Sequence, residues 1–300
     1  MRKETILKPL PKELIQAEIA ALSIKRLVVS RDKFDVYIVS ANEIPQVLKE
    51  IGRLRELTFR AINEGTGKKI DLDEYDQHYL QLFLWDREAQ QIVGGYRIGT
   101  GDVITKKIGI NGLYISSLFF IKKKFHKFMK QAVELGRSYI IPAYQKERLP
   151  LFLMWKAILF FINENKQYNY VYGPVSISKN YTDTSRGLIV SFVKKHLYDK
   201  KMAKLLTAKT PFHTPKLDKN TKDFLKNSNG EINDLDEFLY QLQPEMRNIP
   251  ILMKQYIKQN AKFIGFNLDP NFSDALDGFM ILDIRHLPEK TIEMLTKEKE

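Results

Sequence analysis

The chain has 300 residues, of which 44% are apolar, enough to bury a core in one large domain or in a domain with an appendage. It contains no cysteine, which excludes disulfides, thiolate nucleophiles and cysteine-ligated metal sites. Its formal net charge of +12 favours acidic partners, whether nucleic acid, anionic lipid or an acidic carrier protein, without choosing among them.

Hydrophobic periodicity divides the chain into helices and strands. The predicted helices are 12–22, 45–63, 150–163, 182–198, 234–242 and 246–259. The predicted strands are 24–29, 34–39, 79–85, 92–98, 134–141, 168–172, 262–267 and 278–284. Gly173 and Pro174 are expected to end the strand at 168–172, and residues 63–70 form a polar, flexible segment. The apolar run at 149–162 is too short to span a bilayer, and no signal peptide is expected at the start.

This order of elements predicts an α/β (α+β) fold with a mixed, mainly antiparallel sheet and helices on both faces. We expect four parts along the chain. They are an N-terminal helix and strands at 1–44, a core at 45–206, a polar loop or lid at 207–231, and C-terminal helices and strands at 232–300 that complete the domain.

Several charged residues in the first half of the chain stand next to segments predicted as strands or as a buried helix. Burying a charge costs free energy unless it is paired, so such a set is a candidate site rather than a stabilising device. Asp73 and Asp76 lie three residues apart, just before a predicted strand pair. They are interpreted either as a solvated acidic turn or as a carboxylate pair that binds a cationic amine.

Arg97, Glu134 and Arg137 are ambiguous on local pattern alone. Alternation along strand 92–98 places Arg97 on the face of Gly95, where a small residue suits a space left for something else. Glu134 and Arg137 would point to opposite faces of a regular strand, and Gly136 between them makes a bulge possible. An outward-facing arginine and an ordinary surface ion pair are the alternatives.

Other motifs suggest surfaces rather than chemistry. Lysine runs at 122–130 and 194–204 are typical of solvated helix faces, and they would also suit docking of an acidic protein or of phosphates. His213 and Asp218 have a His-x-x-x-x-Asp spacing without a supporting motif, which we interpret as chance. The other histidines lack metal-ligand spacing, so we expect no metal.

Taken in order, several of these stretches resemble a known group. The chain is similar to the bacterial N-acyltransferases that make ornithine and glycine lipids, often labelled hemolysin-like, which belong to the GNAT superfamily and are related to acyl-homoserine-lactone synthases. The resemblance covers roughly residues 45–285, and the order and spacing of its motifs carry it. The matching stretches are Leu54–Arg60, Asp73–Asp76, Val93–Arg97, Glu134–Ser138, Pro142–Tyr144, Leu151–Ile162, Pro250–Tyr256 and Gly265–Phe272.

The resemblance implies a GNAT-like acyltransferase core at 45–206 and assigns roles to six residues. Glu134, Arg137 and Asp76 would be catalytic, with Glu134 as the base, and Arg55, Asp73 and Arg97 would bind substrate. The implied reaction moves a (3-hydroxy) fatty acyl group to the amine of glycine or ornithine. The acyl chain would need an apolar tunnel, for which Phe119, Phe120, Phe152 and Trp155 are candidates. Ordinary core packing is the alternative, and taken singly it is the favoured interpretation of each.

The family relationship also bears on the acyl donor. Acetyl-CoA enzymes of the superfamily hold the pyrophosphate on a glycine-rich loop, whereas residues 144–150 of this chain contain no glycine. The acyl-phosphopantetheine thioester of acyl carrier protein, which is acidic, is therefore the expected donor, with acyl-CoA less favoured and no cofactor bound. Lys122, Lys123, Lys124 and Arg148 are the expected docking residues for this partner.

The expected partners are acyl carrier protein, an amino-acid acceptor and, peripherally, an anionic membrane, with no nucleic acid. We expect a cytoplasmic protein with peripheral contact at the inner membrane. Two hypotheses stay open beside the amino-acid acyltransferase. One is a lactone-type signal synthase that would also use S-adenosylmethionine, and the other is a non-catalytic basic module that binds anionic membrane or nucleic acid.

Overall fold

The computed structural model describes residues 3–246 and 248–296, with side chains up to residue 293. Its helices are α1 (Lys12–Ala20), α2 (Pro45–Ala61), α3 (Gly101–Lys107), α4 (Ile115–Leu118), α5 (Lys123–Met129), α6 (Leu149–Glu164), α7 (Asp183–His196), α8 (Lys200–Ala203), α9 (Lys219–Asn227), α10 (Ile232–Leu242), α11 (Ile251–Lys258) and α12 (Glu289–Thr296). Its strands are β1 (Leu27–Arg31), β2 (Phe34–Ser40), β3 (Leu80–Asp86), β4 (Gln91–Thr100), β5 (Phe119–Ile121), β6 (Ala132–Ile140), β7 (Tyr170–Ile177), β8 (Leu206–Ala208), β9 (Lys262–Asp269) and β10 (Ala275–Asp283).

The chain forms two compact units. The first contains the residues up to Leu113 together with Lys130–Asn169, and the second contains Tyr114–Met129 together with the chain from Tyr170 onward. Strands pair antiparallel in both units, and helices accompany them. The predicted α/β class with a mainly antiparallel sheet is therefore confirmed.

The first unit carries helices on both faces of a five-stranded sheet. Its strands pair antiparallel in the order β1, β2, β3, β4 and β6. Gln81 and Asp86 lie five positions apart in β3, so their side chains point to opposite faces. Gln81 is bonded by Arg55 of α2, whereas Asp86 is bonded by Tyr144, which lies just before α6. Helices α2 and α6 therefore cover the two faces, as predicted.

Local sequence explains where these helices begin. Pro45 stands in the first turn of α2 and Pro150 in the first turn of α6. Proline suits this place because the first N–H groups of a helix have no partner within the helix. The buried side of α2 includes Val47, Ile51 and Leu54.

The second unit is built on β7, β10 and β9, with β10 paired antiparallel to both of the others. A separate antiparallel pair joins β5 to β8. Aromatic side chains fill the core of the second unit, where the ring centroids of Phe119 and Phe279 lie 5.4 Å apart. Helix α7 is capped by the Thr182 hydroxyl, which accepts the Ser185 N–H at 3.2 Å.

Three local predictions are wrong. Residues 24–26 form a 3-10 turn, and the strand predicted from Ile24 begins at Leu27. Strand β7 continues through Gly173 and Pro174, because an extended backbone accommodates the fixed φ of proline and loses only one N–H donor. The predicted elements also left out α3, α4 and α5, where short apolar groups are set among glycine and lysine.

Part of the segment predicted as a polar loop or lid, 207–231, is helical. Helix α9 occupies Lys219–Asn227, and the Asp218 carboxylate caps it by accepting the Thr221 N–H at 2.8 Å. This capping bond gives Asp218 a structural role, which agrees with the interpretation of the His213 and Asp218 spacing as chance. A lid function for 207–231, and the four-part division as a whole, stay predictions.

Candidate active site

Helix α2 contributes a deeply buried cation to the site, Arg55, which is 1% exposed. Its guanidinium donates to Asp76 Oδ1 at 2.8 Å and to Gln81 Oε1 at 2.7 Å. Gln81 in turn donates through Nε2 to Asp76 Oδ1 at 3.2 Å. The arginine therefore joins the helix both to the sheet and to the acidic segment that precedes β3.

That acidic segment, residues 71–77, is a tightly bonded turn. Asp73 Oδ1 accepts the Tyr75 N–H, and Asp76 Oδ2 accepts the Asp73 N–H, both at 3.0 Å. The segment lies close to α2, because the Asp71 N–H donates to the Gly52 carbonyl at 2.9 Å. A Cβ on Gly52 would lie 2.6 Å from Leu72 Cγ, so glycine is required for this approach.

Arg97 in β4 connects the two predicted carboxylates. Its guanidinium pairs with Asp73 and lies 3.4 Å from Asp76 Oδ2. It also lies over two aromatic rings, 5.5 Å from the centroid of Tyr75 and 5.0 Å from that of Tyr79. Arg97 is fully buried, so the interpretation of an outward-facing surface arginine is wrong.

The space predicted beside Arg97 is not at Gly95. A Cβ there would lie 2.5 Å from the Leu82 carbonyl oxygen and 3.2 Å from the Tyr139 ring. Gly136 is the open position, since nothing lies within 4 Å of a Cβ built on it. Gly136 pairs with Arg97 across the strands, and paired residues share a face, so this opening is on the side of the charged residues.

A bulge in β6 brings Arg137 to the same side as Glu134. Gly95 pairs with Tyr139 and Arg97 with Gly136, so that two residues of β6 oppose one residue of β4. Arg137 itself has a φ of 51°, in the left-handed region that costs an L-residue about 1–2 kcal/mol. The bulge that Gly136 made possible thus forms at the next residue.

The bulged Arg137 is held by two carboxylates. Its Nε lies 3.0 Å from Asp71 Oδ2, and its terminal nitrogen Nη2 lies 2.9 Å from Asp73 Oδ2. A strained backbone persists only where the surrounding structure fixes it, and these two ion pairs supply that restraint. Together with the buried side chains around it, they exclude the alternative of an ordinary surface ion pair.

Glu134 lies on the same face and is 1% exposed. It pairs with Gly99 of β4, and its carboxylate accepts the hydroxyl of Tyr79. Tyr79 immediately precedes β3 and is also the ring beneath Arg97. Glu134 is thereby connected through one aromatic side chain to the ion pairs of Arg97.

These residues form one set, which we name the charged cluster: Arg55, Asp71, Asp73, Asp76, Arg97, Glu134 and Arg137. All six residues that the resemblance pointed to are brought together, and Asp71 joins them. Four carboxylates and three guanidiniums leave a formal charge of −1 on the cluster. Mutual pairing is what allows so many charges to be buried.

Burial and the neighbouring arginines act in opposite directions on the pKa of the buried carboxyls. Burial alone would raise the pKa of Asp76, but Arg55 and Arg97 outweigh it and hold that pKa well below its usual range. For Asp71 the balance is reversed, because burial raises its pKa against the opposing charges of Arg137, Arg55 and Arg97. Asp76 is therefore firmly ionised at neutral pH.

One carboxylate of the cluster is open to solvent. The Asp73 side chain is 25% exposed, whereas the side chains of Asp71 and Asp76 are 2% and 3% exposed. Asp73 also touches both Arg97 and Arg137, which flank the open position at Gly136. The cluster therefore holds one partly exposed carboxylate, which is paired with two buried guanidiniums beside the open position at Gly136.

Sequence reasoning missed three members of this arrangement: Asp71, Tyr79 and Gln81. Gln81 carried a usable signal, since it is a polar residue inside the apolar run Leu80–Leu84. Asp71 lies two residues before Asp73, and this spacing is compatible with a turn but does not predict that Asp71 joins the cluster. Tyr79 resembles any core aromatic, and its role becomes visible only from the position of Glu134.

The predicted docking residues are exposed. Lys122, Lys123 and Lys124 lie in the second unit and Arg148 in the first, and each is accessible to solvent. Their use in docking stays a prediction.

The four aromatics proposed for an acyl tunnel differ in exposure. Phe119 is buried in the core of the second unit, Phe120 is 63% exposed, and Phe152 and Trp155 are half-buried on α6. Phe119 is therefore accounted for by core packing.

Comparison with known proteins identifies the family. The sequence profile of the family described as "Acetyltransferase (GNAT) domain" matches residues 54–155. A "Glycine N(alpha)-acyltransferase" of Bacteroides thetaiotaomicron is 31% identical over 301 residues, which cover 95% of this chain and 88% of the relative. The chain belongs to this acyltransferase family. A second protein of that name, from Phocaeicola vulgatus, is 30% identical over 300 residues that cover 95% of this chain and 90% of the relative.

The predicted relationship of this N-acyltransferase to the GNAT superfamily is therefore confirmed. Every member of the charged cluster lies within residues 54–155, the range that the family profile matches. Among solved structures, a CoA-dependent acyl-homoserine lactone synthase with SAM and isopentyl-CoA has a TM-score of 0.41 at 11% identity, covering 87% of each chain. An aminoglycoside 6'-N-acetyltransferase with coenzyme A has a TM-score of 0.40 at 13% identity, covering 85% of this chain and 98% of the other.

Two further findings concern the described part of the chain alone. Within residues 3–246 and 248–296, no helix combines the length and the apolar character needed to cross a bilayer. Over the same ranges, His, Asp and Glu side chains form no group of three or more that could hold a metal ion.

Proposed function

We propose that this N-acyltransferase moves a (3-hydroxy) fatty acyl group from the phosphopantetheine thioester of acyl carrier protein to the amine of glycine. The observation that carries the proposal is the partly open carboxylate of Asp73, flanked by Arg97 and Arg137 beside the open space above Gly136. A carboxylate next to guanidiniums is complementary to a zwitterionic amino acid. The names of the two bacterial relatives support glycine as that amino acid.

The open part of the cluster suits an acceptor with one ammonium group. Asp73 is the partly exposed carboxylate there, since its side chain is 25% exposed whereas those of Asp71 and Asp76 are 2% and 3% exposed. Glycine has one ammonium group, and its carboxylate would pair with Arg137 or Arg97. Ornithine would bring a second ammonium, which needs a further carboxylate in the site. We therefore place glycine ahead of ornithine as the acceptor.

In this mechanism Glu134, directly or through a water molecule, removes a proton from the glycine ammonium. The amine nitrogen then attacks the thioester carbonyl and the C–N bond forms. The C–S bond breaks as a second proton of the attacking nitrogen passes to the leaving thiolate, and the proton held by Glu134 is released to solvent. Asp73 orients the amine, and Asp76 fixes Arg55 and Arg97 so that their charges stay in place. Holding amine and thioester together supplies a large part of the acceleration, and the positioned base supplies about 10²–10⁴-fold.

The preference for acyl carrier protein over acyl-CoA rests on two features. The segment before α6, residues 144–150, has no glycine with which to surround a pyrophosphate. The exposed cations Lys122, Lys123, Lys124 and Arg148, on a chain of net charge +12, suit an acidic protein. The product would be an anionic amphiphile and the first intermediate of an amino-acid lipid. We propose peripheral contact with an anionic membrane for its release.

The test is a reconstituted reaction. Purified protein is incubated with glycine and either 3-hydroxyacyl carrier protein or the corresponding acyl-CoA, and N-acylglycine is measured by mass spectrometry. We expect product with both glycine and carrier protein present, little with ornithine, and less from acyl-CoA. Absence of acylglycine with either donor would overturn the proposal, and formation of an acyl lactone with S-adenosylmethionine would favour the signal synthase.

A charge-reversed variant tests the docking surface. Lys122→Glu, Lys123→Glu and Lys124→Glu together should lower kcat/KM for the carrier-bound donor about tenfold or more, and this effect should shrink at high salt. Activity with a small pantetheine thioester that lacks the protein should stay unchanged. An equal loss with both donors would contradict the docking role.

A further inference from the structure

We propose that Tyr79 is a positioning residue that acts through Glu134, holding its carboxylate toward the acceptor. The inference rests on the proposed function, in which Glu134 is the base, and it assigns a role to a residue outside every family motif considered above. It starts from a single contact: the Tyr79 hydroxyl donates to Glu134 Oε2 inside a site where Tyr79 is 2% exposed and Glu134 is 1% exposed.

The strands are arranged to admit this ring. Glu134 pairs across the sheet with Gly99, and a Cβ on Gly99 would overlap the Tyr79 ring. Any other residue at 99 would therefore push the phenol away from the carboxylate. The glycine directly opposite the proposed base is thus what makes room for the tyrosine.

The ring is fixed on its other sides as well. Arg97 lies over it at 5.0 Å from the centroid, and Tyr75 meets it edge-on at 6.2 Å. A side chain held by a cation and a second aromatic has little freedom to rotate. Its hydroxyl is therefore a fixed donor, and a carboxylate bonded to a fixed donor keeps one orientation.

The groups that face Glu134 can be named for the described residues. Tyr79 reaches it from just before β3 and Tyr75 from the acidic turn, and Arg97 of β4 lies over the rings of both tyrosines. Arg137 follows on the same strand and is ion-paired with Asp71 and Asp73. Of these, Tyr79 has the described hydrogen bond to the Glu134 carboxylate, and it favours the ionised form that a base requires.

Tyr79→Phe tests the inference because it removes the hydroxyl and keeps the ring beneath Arg97. We expect kcat for acylglycine formation to fall about tenfold, consistent with one lost hydrogen bond. The acidic limb of the kcat/KM profile should move to higher pH by about half a unit to one unit, because a carboxylate that has lost one donor holds a proton more readily. KM for glycine should change little.

The matched control is Tyr168→Phe. Tyr168 is also 2% exposed and also donates its hydroxyl to a carboxylate, that of Asp102, in the same unit of the protein but outside the charged cluster. A structural loss common to buried tyrosines would appear in both variants. A shift of the pH profile should appear in Tyr79→Phe alone.

A second variant reaches the same contact from the opposite strand. Gly99→Ala keeps the hydroxyl but displaces the ring, so it should shift the acidic limb in the same direction as Tyr79→Phe. Should this variant fail to fold, thermal unfolding will show it, and the result for Tyr79→Phe still decides. In the background of Glu134→Gln, Tyr79→Phe should have no further effect on the residual rate.

The outcomes separate the two proposals. If wild-type protein forms no acylglycine with either donor, the proposed function fails before Tyr79 is tested. If the wild type is active and Tyr79→Phe retains an unshifted pH profile with activity within about twofold, the positioning role is overturned. An equal shift of the profile in Tyr168→Phe would overturn that role as well.

Discussion

Two neighbouring residues of α2, Arg55 and Glu56, belong to two buried ion sites of different character. Arg55 enters the charged cluster, whose members come from α2, the acidic turn, β4 and β6. Glu56, 0% exposed, accepts from the Arg60 guanidinium at 2.6 Å and from the Thr66 hydroxyl at 2.6 Å. We name Glu56, Arg60, Thr66 and Gly67 the Glu56 pin.

The hydrogen bonds that Glu56 accepts come from nearby residues, and Arg60 of the pin also donates to the Glu4 carbonyl at 2.7 Å. The Gly67 N–H donates to Glu56 Oε1 at 2.9 Å, and Arg60 donates to the Lys68 carbonyl at 2.8 Å, so that the donors come from within twelve residues. These hydrogen bonds hold residues 66–68 in place, within the segment 63–70 that was predicted to be flexible. The cluster, by contrast, joins distant segments and leaves Asp73 partly open. Burial of charge alone thus does not distinguish the two sets of residues, whereas the partial exposure of Asp73 does.

The largest expected effect separates the two sites by activity. Glu134→Gln should lower the rate of acylglycine formation at least 100-fold, because it removes the proposed base while keeping the shape of the side chain. Glu56→Gln should lower the free energy of unfolding by about 1–3 kcal/mol, since a bonded carboxylate is lost. Its activity per folded molecule should stay within about threefold of wild type.

Both variants are measured by mass spectrometry of acylglycine and by chemical unfolding. A comparable loss of activity in Glu56→Gln would erase the distinction between the pin and the cluster. It would mean that the segment held by the pin takes part in binding.

The next effect concerns stability inside the cluster. Asp76→Asn leaves Arg55 and Arg97 without their shared carboxylate, which we expect to cost about 3–5 kcal/mol of unfolding free energy at pH 7. The pKa of Asp76 is depressed in the folded state, so its contribution is present above the unfolded value and is lost as pH falls. Wild type should therefore lose stability on acidification below about pH 4, where the variant changes less.

Urea unfolding at pH 7 and at pH 3 measures both quantities. Exposed Asp234 on α10 offers the control substitution, Asp234→Asn, which removes one carboxylate without touching a buried cation. A parallel pH dependence in wild type and Asp76→Asn would show that the arginines do not depend on Asp76.

The sequence predicted what periodicity and order can encode. Helix α2, the antiparallel β3 and β4 pair, and the six charged residues followed from spacing and from the family resemblance. Each of these signals is local or is carried by motif order. The bulge at Arg137 was predicted only as an option, since a positive φ at a non-glycine residue depends on Asp71 and Asp73, which are more than sixty positions away.

The sequence did not predict which residues each side chain of the site would contact. The open space was assigned to Gly95, but backbone and Tyr139 fill that position, and Gly136 is the open one. The contact between Tyr79 and Gly99 could not be predicted from residue spacing. Tyr79 lies between the acidic turn and β3, whereas Gly99 lies in β4 and Glu134, which the tyrosine bonds, lies in β6. Glycine has many structural uses, and only the neighbours distinguish one use from another.

A smaller effect is expected at Glu64, a buried carboxyl outside both sites. Burial raises its pKa from 4.5 to about 7. The folded protein therefore holds a proton that the unfolded chain releases, and stability should fall as pH rises from 4.5 to 7 and level off above it. Glu64→Gln stays neutral and should be more stable than wild type at pH 8, by up to about 3 kcal/mol.

Unfolding curves at pH 4.5 and pH 8 test this difference. Exposed Glu74 provides the control, since Glu74→Gln also removes one carboxylate from the chain. An equal gain at both pH values would mean that the advantage of glutamine at 64 is unrelated to ionisation.

The smallest expected effect concerns the open position at Gly136, a feature that distinguishes the charged cluster from the Glu56 pin. Gly136→Ala adds a methyl group where nothing lies within 4 Å, so the fold should tolerate it, with stability unchanged or slightly raised. If glycine binds above this position, the methyl group occupies its space, and KM for glycine should rise about tenfold, equivalent to about 1.4 kcal/mol. KM for the acyl donor should not change. An unchanged KM for glycine would move the acceptor away from the opening and leave Asp73 as a carboxylate that merely meets solvent.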